Sequence, residues 1–278
     1  MAIPAKVLDR ITSGLKKFQP VLSSAKTRDV NESDTVVIIT DMLSEVFGYD
    51  KYSEITTEHV VKKTYCDLAI KIDGKVKLLI EVKAIGLDLK DDHIKQAIDY
   101  GANAGIEWVV LTSGMNWQIY RISFSKPIDK ELVYEINFAN INPKNESHIE
   151  PVYYLCREAL GKSLLDEYHS QKQALSKYYI GQMLLTETIL DVIKRELKRL
   201  TPGVKIENEE IEEVLRTDII KRDVLEGEKA VDAKKKIQRA ANTYLRSSSP
   251  SPKKDTKDSS ITDQRVDEIS PNLESTSN

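Results

Sequence analysis

Cysteine is almost missing: Cys66 and Cys156 are the two in 278 residues. They stand in unrelated contexts, with neither the neighbours of a zinc motif nor the spacing of a disulfide framework, so reduced thiols in a cytosolic protein fit best. Histidine is nearly as sparse, and His59, His93, His148 and His169 show no ligand spacing and are expected at the surface. No run approaches the roughly 18 apolar residues of a membrane span. The amino terminus, MAIPAKVLDRITSGLKKF, lacks the apolar core of a secretory signal. Neither sign of charge dominates: the formal net charge is -3, so no overall basic field announces a nucleic-acid binder, although an acidic tail can mask a basic face. The expectation is a soluble cytoplasmic chain with no membrane partner.

What is present is an ordinary globular balance, 40% hydrophobic and 31% charged, long enough for one well-packed domain and an extension. Residues 3–18 read as an amphipathic helix ended near Pro20, and a second helix starts at Glu32 and stops at Gly48. Strands are expected at Ile55–Val61, Thr64–Ile72 and Lys75–Ala84, then a helix from Asp88 to Ala104. IEWVVLT and WQIYRI read as strands joined by a turn at Ser113-Gly114-Met115-Asn116, with a last strand or two and a linker over 126–150. From Pro151 the pattern is almost wholly helical, broken at Thr201-Pro202-Gly203, and after Leu245 it becomes Ser, Asp, Lys and Pro. The implied division is an N-terminal helix and linker (1–29), an α/β domain (30–150), a helical region (151–246) and a disordered tail (247–278).

Residues 78–86, LLIEVKAIG, pose a problem: an apolar strand carries Glu81 and Lys83 two residues apart. Charges in a buried strand are costly unless paired, and an ion pair on an edge strand is the simplest account. Asp73-Gly74 marks a hairpin before this strand. A two-residue loop would pair Ile72 with Lys75 and scatter apolar residues over both faces. A three-residue loop, Ile72-Asp73-Gly74 or Asp73-Gly74-Lys75, gathers Leu68, Ile70, Val76, Leu78, Ile80 and Val82 on one face. Asp67, Glu81 and Lys83 then share the other face with Ala69 and Leu79. Two neighbouring carboxylates repel unless a cation sits between them. Mg²⁺ takes one or two carboxylates plus water and phosphate oxygens, and a lysine beside it can act on an attacking water. This chemistry suits phosphodiester hydrolysis.

Asp67, thirteen residues, then Glu81-Val82-Lys83 resembles the active-site motif of the PD-(D/E)xK nuclease superfamily, with Cys66 at the proline position. Asp73-Gly74-Lys75, Asp88-Leu89-Lys90 and Glu196-Leu197-Lys198 also match D/E-x-K, but they fall in a turn, a loop and a helix. Gln96-Ala97-Ile98-Asp99-Tyr100 resembles the Q-x-x-x-Y element of RecB-like nucleases and of the N-terminal nuclease domain of type I restriction R subunits. Similarity to that domain covers roughly residues 30–125. It implies a restriction-endonuclease-like fold, a central mixed sheet flanked by helices, followed here by the helical extension.

The resemblance also implies Mg²⁺, or Mn²⁺ in its place, bound by Asp67, Glu81 and the Val82 carbonyl, with Lys83 acting on the nucleophile. Gln96 and Tyr100 would position DNA or the catalytic groups. Such folds often add a glutamate from the first core helix, Glu32 by position or Glu45 as the alternative. The implied function is a Mg²⁺-dependent DNA endonuclease, used in restriction of foreign DNA. The alternatives are a nuclease-fold module that binds nucleic acid or a partner protein without cutting, and a helical interaction protein whose carboxy half mediates assembly or self-association. CREALGKS at 156–163 approaches a phosphate-binding loop, but Cys156 replaces its first glycine and no strand precedes it, so no ATP site is expected. The basic pairs Lys194-Arg195 and Lys198-Arg199 and the run Lys234-Lys235-Lys236 read as solvated helix faces.

Overall fold

A computed structural model of the chain describes residues 2–61, 64–124 and 127–248, side chains excepted at 58–65 and 243–248. The described residues form two compact units, one up to residue 176 and one from residue 177. The tail expected from residue 247 lies, beyond 248, outside the described residues.

In the first unit, α1 (Ala5–Thr27) does not end at Pro20 but runs through it. Proline inside a helix costs roughly 3 kcal/mol. The apolar stripe of Val7, Ile11, Leu15 and Phe18 nevertheless continues into Leu22 and Ala25, both fully buried. The Gln19 side chain also donates to the carbonyls of Phe138 (3.0 Å) and Ile141 (2.9 Å), tying the helix down beside the proline. Packing and the remaining helix bonds therefore outweigh the penalty. Helix α2 (Glu32–Glu45) is capped by Asn31, whose side chain accepts from the Asp34 N–H. Its Ile39, Met42 and Leu43 enter the core, as their spacing predicts.

A mixed sheet of six strands follows in the order β1 (Ile55–Val61), β2 (Thr64–Ile72), β3 (Lys75–Val82), β4 (Trp108–Thr112), β5 (Asn116–Ser123), β6 (Asp129–Asn137). Every neighbouring pair is antiparallel except β3 and β4. Parallel strands need a long crossover, and α3 (Lys95–Ala104) supplies it. One face of the sheet, with Leu68, Ile70, Leu78, Ile80 and Val82, packs in a core shared with residues of α1 and α2. The other, with Ala69, Leu79, Val109 and Leu111, packs against Ala97, Ile98 and Tyr100 of α3.

The hairpin of β2 and β3 reaches its register by a route other than the expected three-residue loop. Asp73 (φ +51°) and Gly74 (φ +73°) form a two-residue turn of the type that suits hairpin twist, and Ile72 pairs with Lys75. A β-bulge between Ile70 and Lys71 then shifts the pairing by one residue, so that Ile70 faces Leu78 and Leu68 faces Ile80. Leu68, Ile70, Leu78, Ile80 and Val82 still share one face, but Val76, expected with them, lies on the turn side of the bulge and packs against the other core. The constraint that both faces meet a core selects the register, and the bulge reconciles it with the tight turn.

Helices α4 (Glu146–Tyr153), α5 (Arg157–Gly161) and α6 (Leu164–Ala174) complete this unit. The segment that approaches a phosphate loop is largely α5, and its Ser163 is left-handed (φ +57°). His169 of α6 is buried rather than exposed as expected, edge-on to Trp108. Its Nδ1 lies 2.8 Å from the Arg121 guanidinium and its Nε2 lies 3.0 Å from Glu131. Arginine only donates, so Nδ1 accepts and Nε2–H donates to the carboxylate.

The second unit comprises α7 (Lys177–Leu184), α8 (Glu187–Leu200), α9 (Asn208–Val214), α10 (Arg222–Leu225) and α11 (Glu228–Ser248), with a small core that includes Leu190, Ile211 and Leu215. Helix α8 ends at the expected break, where Gly203 has φ +90°. Lys194 pairs with Glu207 at 2.6 Å and Arg199 with Glu196 at 2.9 Å, while Lys234, Lys235 and Lys236 are exposed. Among the described residues no helix is long and apolar enough to cross a membrane.

Arg10 of α1 holds both oxygens of Glu158 of α5 at 2.7 Å and also donates to the carbonyls of Val46 and Phe47. That guanidinium holds the Glu158 carboxyl below the usual carboxylate range. A depressed folded value gives stability that is present above the unfolded value, about 4.3, and is lost as pH falls through the folded one. Arg10→Ala should therefore lower unfolding free energy by about 1–2 kcal/mol at pH 7, after discounting for solvent screening. Urea titration should show a smaller deficit at about pH 3, where the carboxylate is protonated.

Candidate active site

Strand β3 is apolar from Leu78 to Ile80, and its alternation decides where Glu81 points. Ile80 and Val82 point into one apolar layer and Leu79 into the other, so Glu81 projects on the side of Leu79 at the strand end. The bulge-corrected register, carried one step beyond Leu68 and Ile80, sets Asp67 opposite Glu81. Asp67 Oδ2 accepts the Val82 N–H at 2.7 Å, which locks the aspartate against the next strand. Lys83 ends the run: its N–H donates to the Thr112 carbonyl at 2.8 Å, and its Nζ lies 2.8 Å from Glu81 Oε1. Helix α2 brings the fourth group, with Glu32 Oε2 3.4 Å from the same ammonium.

Glu32 is the first residue of α2, where the helix dipole favours a carboxylate. The turn before it is tight: Asp29 is left-handed (φ +47°), and a Cβ on Gly86 would lie 2.4 Å from the Asp29 carboxylate. The loop after the charged strand and the entry to α2 are thus in direct contact, which sets Glu32 over Lys83. Glu45, at the other end of α2, pairs instead with Lys17 of α1 at 2.5 Å.

Three carboxylates face one ammonium. Burial raises the pKa of Asp67, helped by the charge of Glu32 and opposed by the Val82 N–H and Lys83. Burial also raises that of Glu81, which is 7% exposed, with Asp67 adding to the rise and Lys83 opposing it. For Lys83 burial acts downward, but the bond to Glu81 and the nearby carboxylates outweigh it, so its pKa is raised and the ammonium is held. The pocket therefore carries surplus negative charge in a partly dry setting. Hard oxygen donors with surplus charge fit a divalent cation. Among the described residues no three His, Cys, Asp or Glu side chains gather closely enough to hold a metal alone. A cation here would draw on two carboxylates and complete its shell with water and phosphate, as Mg²⁺ commonly does.

The remaining residues singled out in the sequence divide. Gln96 is exposed on the first turn of α3, whereas Tyr100, one turn on, is 1% exposed and packed in the core beneath the strands. Its pKa is raised by burial and by the neighbouring Cys66. Cys66 is itself buried, its thiol 3.2 Å from the Ile80 carbonyl, and burial with the Glu81 and Asp67 charges pushes its pKa up to about 12. A thiol so placed is no nucleophile. The side chain of His59 lies outside the described residues.

Residues 38–136 match the family model described as type I restriction enzyme R protein N terminus (HSDR_N). The match spans β1 to β6 and includes Asp67, Glu81, Val82, Lys83, Gln96 and Tyr100, while Glu32 precedes it. Comparison with curated proteins and with solved structures finds no match.

Raised carboxyls oppose folding once ionised. Their stabilising share is complete below the unfolded values near pH 4 and is lost as pH rises through the folded ones. Asp67→Asn removes one charge and keeps an oxygen for the Val82 N–H. In EDTA the variant should melt several degrees above wild type at about pH 7.5 and close to it at about pH 4.5. A lower Tm at pH 7.5 would show that the fold needs the Asp67 charge.

Proposed function

We propose, from a restriction R-protein N-terminal domain spanning all of the site but Glu32, that this chain is a Mg²⁺-dependent DNA endonuclease. The observation that carries the reading is the meeting of Asp67, Glu81 and Lys83 at one strand end, in a pocket whose carboxylates outnumber its cations. A bound Mg²⁺ would supply the charge that polarises a phosphoryl oxygen and eases ionisation of a water. Asp67, Glu81 and the Val82 carbonyl would hold it. Lys83 would orient the attacking water and neutralise charge that develops on the phosphate. Glu32 keeps the ammonium over the site. Gln96, at the exposed edge, meets the DNA strand, and Tyr100 acts from beneath by seating α3 against β2 and β3.

A second reading is a module that binds DNA or a protein without cutting it. Its support is the Glu81–Lys83 pair, which satisfies both groups as they stand.

Incubating the purified full chain with supercoiled plasmid and with single-stranded DNA, in Mg²⁺, Mn²⁺ or EDTA, separates the two. Metal-dependent nicking that drops roughly 100-fold or more in Lys83→Ala supports the enzyme. Binding without nicking in every condition supports the module and overturns the endonuclease.

A further inference from the structure

Ser113 directly follows β4 at the strand end that carries the site. Its side-chain Oγ is buried and has no hydrogen-bond partner, a state shared among the described residues only by Asn208 Oδ1. Buried hydroxyls are nearly always bonded, so such an atom asks for a partner. The turn it belongs to does not use it. The Ser113 N–H donates to the Asn116 carbonyl, and the Gly114 N–H is taken by the Thr112 hydroxyl.

Register shows what lies beside it. Strands β3 and β4 are parallel, with Glu81 beside Leu111 and Val82 beside Thr112, and the Lys83 N–H continues the ladder to the Thr112 carbonyl. One step further sets Ser113 beside Lys83. Leu111 belongs to the layer of Leu79 and α3, so by alternation Ser113 stands on the same face as Glu81 and Lys83.

We propose that Ser113 is a further positioning residue of this site, its hydroxyl accepting a hydrogen bond from the Lys83 ammonium when Asp67 and Glu81 hold a divalent cation. This rests on the metal-dependent reading above. Lys83 has three N–H donors, and both of its present acceptors, Glu81 and Glu32, are carboxylates. As Glu81 turns its lone pairs to a cation, the ammonium loses its nearest acceptor. Ser113 offers a neutral one that carries no charge to compete for the cation. It thereby releases Glu81 and keeps Lys83 at the strand end.

The test compares wild type, Ser113→Ala and Ser113→Thr as full chains, by calorimetric titration with Mg²⁺ and by plasmid nicking. Ser113→Ala should bind Mg²⁺ about 10-fold more weakly, the scale of a lost outer partner. Its Tm in EDTA should match or exceed that of wild type, and kcat for nicking should fall with KM for DNA unchanged. Ser113→Thr, which keeps the hydroxyl, should restore Mg²⁺ affinity. Equal Mg²⁺ binding by wild type and Ser113→Ala, or a lowered Tm in EDTA, overturns the role of Ser113 and leaves the metal reading standing. Failure of wild type itself to bind Mg²⁺ or Mn²⁺ overturns both.

Discussion

Both faces of the β2–β3 hairpin must be covered, and that constraint governs the rest. Leu68, Ile70, Leu78 and Ile80 meet the core that includes α1 and α2, and Ala69 and Leu79 meet α3. A slip of one residue would turn each apolar set to the wrong layer. With that register set, Asp67 and Glu81 have no choice of neighbour. Their carboxylates fall together at the end of the hairpin, and Lys83 follows two residues on. Packing, which is indifferent to chemistry, thus places the charges, and burial, with Glu32 adding at Asp67 and Asp67 adding at Glu81, raises the pKa values of both carboxyls beside a single ammonium.

The second device is the crossover. Because β3 and β4 run parallel, the ends of both strands open on the same edge, and α3 spans the gap between them. Strand ends of a parallel pair are where loops can hold groups that the core would reject. Lys83 and Ser113 stand there side by side, and α2 points its amino-terminal Glu32 at the same edge. Helix α1 takes part indirectly, through the close approach of Asp29 to Gly86 and through Arg10, which ties α1 to α5 and to the end of α2. The site is electrostatic and partly buried, with Glu81 inside and Glu32 at the exposed rim.

Much of this was legible in the chain itself. The strands and the parity of the hairpin near Glu81 follow from alternation of apolar residues, and the juxtaposition of Asp67, Glu81 and Lys83 follows from parity; the helix expected over Asp88–Ala104 exists only as α3 from Lys95, after a 3-10 turn at Asp91–Ile94. The loop length did not, because parity is blind to whether an extra residue sits in the turn or in a bulge at Ile70. The passage of α1 through Pro20 was hidden because local propensity carries no knowledge of the carbonyls that Gln19 finds at Phe138 and Ile141. Tyr100 shares a helical face with Gln96 in sequence, but the sheet covers Ala97, Ile98 and Tyr100 and leaves Gln96 at the exposed margin of α3, so one is buried and the other is not. His169 looked like a surface residue because its partners Arg121 and Glu131 are distant in sequence. Ser113 carries no motif, and its lone hydroxyl becomes visible only when every bond of the surrounding turn is assigned.

The central claim is that the crowded carboxylates of Asp67 and Glu81 are a site for a divalent cation. Thermal unfolding of the full chain across a Mg²⁺ titration tests it most directly, because a ligand that binds the folded state raises its stability by mass action. Tm should rise saturably for wild type and stay unchanged for a Glu81→Gln variant. A Tm indifferent to Mg²⁺ and Mn²⁺ in wild type, or an equal rise in both proteins, would contradict it.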